Sequence, residues 1–204
     1  MTLTNIVNTE NITVPYSYNP DAPVGASANV IDKYKNYLTE AVRLDLDTNR
    51  SALINVCVNT GSDFNLSSVI RSGNAFGVRA TIISGRRQWD RRGAVGTHNY
   101  EHVRQGPDIF EIIENLMSDG YTVIPVDNTP EFNPVSIFEV DFPKKTAFLY
   151  GEEGCGLDLE VVEKCNFAPV YLPQGGSVRS LNVACAATVF MYEYARQWPT
   201  NWQS

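Results

Sequence analysis

Short apolar runs of strand length, set between segments of helical spacing, constrain this chain more than any other feature. Residues 52–58 read Ala-Leu-Ile-Asn-Val-Cys-Val, nearly continuous in apolar and β-branched side chains. A strand with one wet face would alternate; a continuous run is what a strand covered on both faces needs, as in a parallel sheet. Residues 80–83, 121–126, 146–150 and 168–172 are runs of the same kind. Between them lie helical patterns. In 65–78, Leu66, Val69, Ile70 and Gly73 share one face, Asn65 is a candidate cap and Gly77 stands at the C-cap position. In 107–118, Pro107 suits the first turn and Ile109, Ile112, Ile113, Leu116 and Met117 form one stripe. Strand, helix, strand, helix, strand predicts an α/β fold, a mostly parallel sheet flanked by helices with right-handed crossovers. Ligands in such sheets sit at the carboxyl ends of strands. Those ends are Asn59, Ser84, Val126 and Gly151.

Residues 1–28 are rich in Asn, Thr and Pro without a period and read as an extended arm. Residues 28–42 carry helical spacing, so the first 50 residues are expected to be an arm and a helix, and 51–204 one domain. The N-terminus has neither the basic nor the apolar region of a secretory signal, and no run reaches the roughly 20 apolar residues of a membrane span. Cys57, Cys155, Cys165 and Cys185 show no C-x-x-C spacing and read as reduced core thiols, three of them in apolar or helical context. A cytoplasmic protein with no membrane partner is expected.

The net charge of −7 argues against a nucleic-acid partner, but its distribution does not. Residues 71–104 carry seven arginines against two carboxylates, within an otherwise acidic chain. A local basic segment is what phosphate contacts need. The long connection 85–105 contains Arg86, Arg87, Trp89, Arg91 and Arg92. Arginine offers a bidentate fork to phosphate; Trp89 could stack on a base or pack beneath its own loop.

The last quarter holds two glycine bends. One, Gly151-Glu152-Glu153-Gly154-Cys155-Gly156-Leu157, follows the strand 146–150; the other, Leu172-Pro173-Gln174-Gly175-Gly176-Ser177, leads to Ser180-Leu181-Asn182 and a long apolar helix. Glycine lets backbone approach a ligand closely. Strand, G-x-E-G-x-G-L, apolar-Pro-x-G-G and S-L-N-V at a helix start resemble the SpoU (TrmH-like) branch of the SPOUT RNA methyltransferases. Residues 65–78 resemble that family's first motif through Asn65 and Arg71, although Ser62 and Ser67 depart from it. The resemblance covers roughly residues 50–196.

The resemblance implies a C-terminal trefoil knot and an S-adenosylmethionine site. Backbone at Gly151, Leu172 and Leu181, with Val126 nearby, would hold the cofactor. It implies methyl transfer to a ribose 2′-hydroxyl of tRNA or rRNA, without a metal. Arg71 would place the hydroxyl by gripping a phosphate, with Asn65, Glu153, Ser180 and Asn182 supporting it. The helix 180–196 is apolar nearly all round, which predicts burial in a subunit interface, and the resemblance implies a homodimer through it.

Two other readings stand beside this one. A knotted protein could bind RNA or cofactor without turnover. His98-Asn99-Tyr100-Glu101-His102 also spells H-x-x-E-H, which on a helix binds zinc in a peptidase. Glycines at 93 and 96 and Pro107 crowd it, and ordinary loop histidines are expected.

Overall fold

The computed structural model describes residues 30–35, 37–58, 63–85, 89–106, 108–152 and 154–200. The expected arm, residues 1–28, lies outside them. Seven strands form one wholly parallel sheet: β1 (Ile54–Val58), β2 (Ala80–Ser84), β3 (Val103–Gly106), β4 (Thr122–Val126), β5 (Val135–Ser136), β6 (Thr146–Tyr150) and β7 (Val170–Tyr171), in the order β3-β2-β1-β6-β4-β7-β5. The chain runs outward through β2 and β3, returns to the other side, and later slots β6 between β1 and β4. Ile54 to Cys57 register against Ala147 to Tyr150, and Thr122 to Val126 against Thr146 to Tyr150.

Among the described residues there are five α-helices: α1 (Thr39–Asp47), α2 (Asp63–Ala75), α3 (Ile109–Ser118), α4 (Leu159–Lys164) and α5 (Val183–Gln197), the last four packed on the sheet. Along β1 the side chains alternate between two cores. Cys57 joins α2 and α5 through Val69, Ile70, Ala187 and Phe190. Ile54 and Val56 join α3 and α4 through Ile113, Leu116, Val161 and Val162. Asn55 is fully buried between β1's neighbours, yet its Nδ2 donates to Met191 Sδ (3.2 Å) and its Oδ1 accepts from Tyr150 Oη (3.4 Å). The two-faced burial inferred from continuous apolar runs is thus realised as helix, sheet and helix layers.

The structure corrects several expectations. The helix expected over 28–42 is a 3₁₀ turn (Asp32–Tyr34) followed by α1, because Tyr34 and Val42 bury against Tyr100 rather than along one continuous stripe. The connection 85–105 is not structureless. It holds 3₁₀ turns at Arg91–Ala94 and Thr97–Asn99 and ends in β3, a polar strand at the sheet edge. Asn65 lies inside the first turn of α2 and does not cap it. The last helix begins at Val183, since Asn182 is its N-cap and accepts from Ala184 N (3.0 Å) and Cys185 N (3.3 Å). Cys155 and Cys185 are exposed; Cys57 is buried, and desolvation pushes its thiol up to about 12.

One buried ionic cluster ties α1 to the sheet edge. Arg50 Nη1 donates to both oxygens of Glu101 (2.9 and 3.0 Å) and to the Val78 carbonyl (3.0 Å); its Nη2 donates to the Tyr100 carbonyl (2.5 Å) and its Nε to Asp47 (2.6 Å). Asn74 Nδ2 donates to Glu101 Oε1 (2.7 Å), and His102 Nε2 lies 2.8 Å from Asp47 Oδ1. The H-x-x-E-H residues are therefore split. Glu101 faces Arg50, His102 faces Asp47, and His98 sits in a 3₁₀ turn beside Trp89. Among the described residues no group of three His, Cys, Asp or Glu side chains could hold a metal ion. Among them, too, no helix is long and apolar enough to cross a membrane.

Candidate functional site

A cleft of about 940 Å³ opens at the carboxyl ends of β4, β6 and β7. Among the described residues, its walls come from four pieces of the second half of the chain: residues 126–130, the bend after β6 (150–152 and 154–156), the bend after β7 (171, 172, 174 and 179–182) and the first turns of α5. A parallel sheet predicts this position, because the strands stop there and the loops diverge around β6.

The glycine bend after β6 is shaped by backbone crowding. Glu152 N donates to the Gly156 carbonyl (3.2 Å) and Gly156 N to the Glu152 carbonyl (2.8 Å), closing the bend on itself. A Cβ on Gly151 would stand 2.4 Å from the Gly156 carbonyl carbon and 2.9 Å from Leu157 N. Gly156 itself has φ of +74°. Asp127 joins this wall to its neighbour: its Oδ2 accepts from Leu157 N (3.3 Å) and its Oδ1 from Thr129 N (2.8 Å). The Cys155 thiol, in the same bend, donates to Glu152 Oε2 (3.3 Å), and that hydrogen bond holds it above the ordinary thiol range.

This packing yields a sharp expectation. Gly151→Ala forces the bend apart and weakens binding of S-adenosylmethionine on the order of tenfold to a hundredfold. Gly154→Ala, where a Cβ meets nothing within 4 Å, leaves it unchanged. Calorimetric titration of both variants checks the contrast.

The structure brings together all four backbone positions expected to hold a cofactor: Val126, Gly151, Leu172 and Leu181 line the cleft. Ser180 and Asn182 line it as well. Asn182 Nδ2 donates to Asn65 Oδ1 (2.9 Å), so two polar residues 117 apart in sequence meet where α2 approaches α5. Ser72 and Thr188 hydroxyls form a second link between these helices (2.9 Å). Arg71 lies on α2, exposed, with no partner among the described residues, and it is not one of the cleft's lining residues. Glu153, Arg86 and Arg87 lie outside the described residues. Trp89 is half-buried against the main core, edge-on to His98 (5.8 Å between centroids), with the Arg91 guanidinium 5.8 Å from its ring. Arg91 and Arg92 are exposed, and Arg92 pairs with Asp90 (2.6 Å). Burial, with Arg91 nearby, lowers the pKa of His98 below the ordinary histidine value.

Three charged lining residues escaped sequence reasoning. Asp127 and Glu152 give the cleft negative charge, and Arg179 is its one cation among the described residues. No spacing signals them; they become visible only when the loops are brought together.

The cleft suits S-adenosylmethionine on its own terms. Its volume is in the range of small-molecule sites. The two carboxylates suit a cationic ligand.

Comparison with known proteins agrees. The model of the SpoU rRNA Methylase family matches residues 52–192. The tRNA (guanosine(18)-2′-O)-methyltransferase of Thermus thermophilus is 32% identical over 145 residues, 68% of this chain and 72% of that one. The 23S rRNA (guanosine-2′-O-)-methyltransferase RlmB of Coxiella burnetii is 31% identical over 167 residues, 78% of this chain and 65% of that one. The crystal structure of the SpoU methyltransferase AviRb from Streptomyces viridochromogenes with AdoMet superposes with a TM-score of 0.63 at 28% identity, covering 76% of this chain and 61% of that one. The chain spans from about half to about three quarters of the length of the curated relatives it matches.

Proposed function

Since the chain belongs to the SpoU rRNA methylase family, we propose that it is an S-adenosylmethionine-dependent methyltransferase acting on a ribose 2′-hydroxyl of tRNA or rRNA, in the cytoplasm. The observation that carries this reading is the convergence of Val126, Gly151, Leu172 and Leu181, together with Ser180 and Asn182, on one cleft at the strand ends. The same reading divides the chain into an arm and helix to residue 50 and a methyltransferase domain from 51, with a knotted C-terminus. The insertion of β6 between β1 and β4, and the closely apposed bends after β6 and β7, support the knot.

Backbone at Gly151, Leu172 and Leu181 would hold the cofactor, with Val126 beside it. When bound, the cofactor supplies a methyl group made electrophilic by its sulfonium. The chain's own task is then to present the hydroxyl in line and to let its proton leave. Arg71 grips the adjacent phosphate with its fork and so places the ribose; a phosphate oxygen or a water takes the proton, because a guanidinium is too weak an acid to serve as base. Asn65 and Asn182 brace α2 against α5, and Ser180 and Glu153 hold the two bends. Arg86, Arg87, Arg91 and Arg92 contribute phosphate contacts, and Trp89 a stacking or packing surface, along the path of the RNA.

Incubation of the purified protein with radiolabelled S-adenosylmethionine and total RNA tests the reaction. Label is expected in RNA and, after nuclease digestion, in a 2′-O-methylnucleoside. Cofactor binding without label in any RNA would reduce the protein to a binder.

A homodimer through α5 belongs to the proposal. The helix leaves Cys185, Val189 (42% exposed) and Tyr192 (59% exposed) on one outward stripe at i, i+4 and i+7 spacing. Val189→Lys with Tyr192→Lys places two ammonium groups in that stripe. The mass by light scattering is expected to halve relative to wild type, with helical content unchanged.

A further inference from the structure

The second glycine bend hides one unsatisfied atom. From Pro173 to Asn182 every residue is exposed except Gln174, whose side chain turns in to line the cleft. Its Oε1 is buried and accepts no hydrogen bond from any described residue. A buried acceptor without a donor costs free energy that an apolar side chain of the same shape would not. Such an atom in the wall of a binding cleft marks where a ligand brings a donor.

The chemistry of the walls says which donor. The cleft's carboxylates, Asp127 and Glu152, stand on the bends after β4 and β6, and they suit the cationic parts of S-adenosylmethionine. Gln174 stands on the bend after β7, next to the apolar Leu172 and with Leu181 further along the same segment. A neutral amide beside apolar side chains suits a neutral, flat, amine-bearing ring. A carboxamide also presents acceptor and donor in one plane, the pattern that pairs with the amine and adjacent ring nitrogen of adenine.

We infer that Gln174 reads the adenine of the cofactor, its Oε1 accepting from the exocyclic amine. The inference rests on the cofactor proposed above. It adds a side-chain contact to a site otherwise built of backbone, and it makes Gln174 a specificity-determining residue: it separates adenine from purines that lack the amine.

The test is a two-by-two titration, by calorimetry, of wild type and Gln174→Met with S-adenosylhomocysteine and its 6-deamino analogue, in which purine replaces adenine. Methionine keeps the length of the side chain and removes the amide. Wild type is expected to bind the adenine compound about tenfold more tightly than the purine compound. Gln174→Met is expected to bind both equally, at the weaker affinity. Ligand-free Gln174→Met should melt no lower than wild type, since the amide oxygen has no partner to lose. A variant that keeps the preference, or a wild type without one, overturns the inference while leaving the cofactor in place. A lower melting temperature for the free variant assigns the amide to the loop's own structure and overturns it too. A wild type that binds neither compound removes the cofactor reading itself, and the inference with it.

Discussion

Replacing Arg71 by alanine is expected to lower kcat/KM for RNA by about a hundredfold or more, with the Kd for S-adenosylmethionine unchanged. The two halves of that expectation have separate causes. Arg71 is exposed, lacks a partner among the described residues and does not line the cleft, so its loss costs neither fold nor cofactor site. Yet α2 is fixed to α5 by the Asn65–Asn182 and Ser72–Thr188 hydrogen bonds, and α5 lines the cleft through Val183, Ala186 and Phe190. A phosphate held by Arg71 is thereby held at a set distance from the methyl donor. Lysine at this position should recover only part of the loss, since an ammonium is a point charge and cannot hold phosphate through two parallel bonds. Single-turnover transfer alongside equilibrium binding measures both quantities. Undiminished transfer by Arg71→Ala would end the role given to it.

The largest effect on stability is expected at Arg50. Its side chain is 4% exposed and that of Glu101 0%. Arg50→Met leaves the Glu101 carboxylate buried with Asn74 as its remaining partner, and strands the Tyr100 and Val78 carbonyls. Breaking one side of a buried pair costs about 3–5 kcal/mol, a large share of the 5–15 kcal/mol that typically separates folded from unfolded states. For a chain of this length that lowers Tm by roughly 10 °C. Arg50→Met combined with Glu101→Met should be less harmful than Arg50→Met alone, because the Glu101 carboxylate is then not left behind and Asp47 keeps His102 in both variants. Thermal melts of the three proteins decide it; a double variant worse than the single would mean the cluster acts through packing.

Much of the architecture was legible because its cause is local. Continuous apolar runs marked β1, β2, β4 and β6 to within two residues, and the stripe from Ile109 to Met117 marked α3. β3 was not legible: Val-Arg-Gln-Gly is polar, and it becomes a strand only because β2 offers it an unpaired edge. The histidine motif misled in the opposite way. Its spacing is local, but Glu101 and His102 were recruited by Arg50 and Asp47, about fifty residues upstream. At the cleft, glycines marked the two bends, since a close approach must be written as a missing side chain; the positions Val126, Leu172 and Leu181 came only from the family resemblance. Asp127, Arg179 and Gln174 left no such trace, for a polar residue in a loop looks the same whether it faces solvent or a ligand.

That the described residues walling the cleft all fall between 126 and 190 bears on how the protein is made. On the ribosome the sheet's first strands emerge long before any of those bends, and α5, which closes the last side, emerges after all of them. Binding competence therefore arrives in a single late step of synthesis, and prematurely terminated chains should carry no weak version of it that could sequester cofactor in the cell.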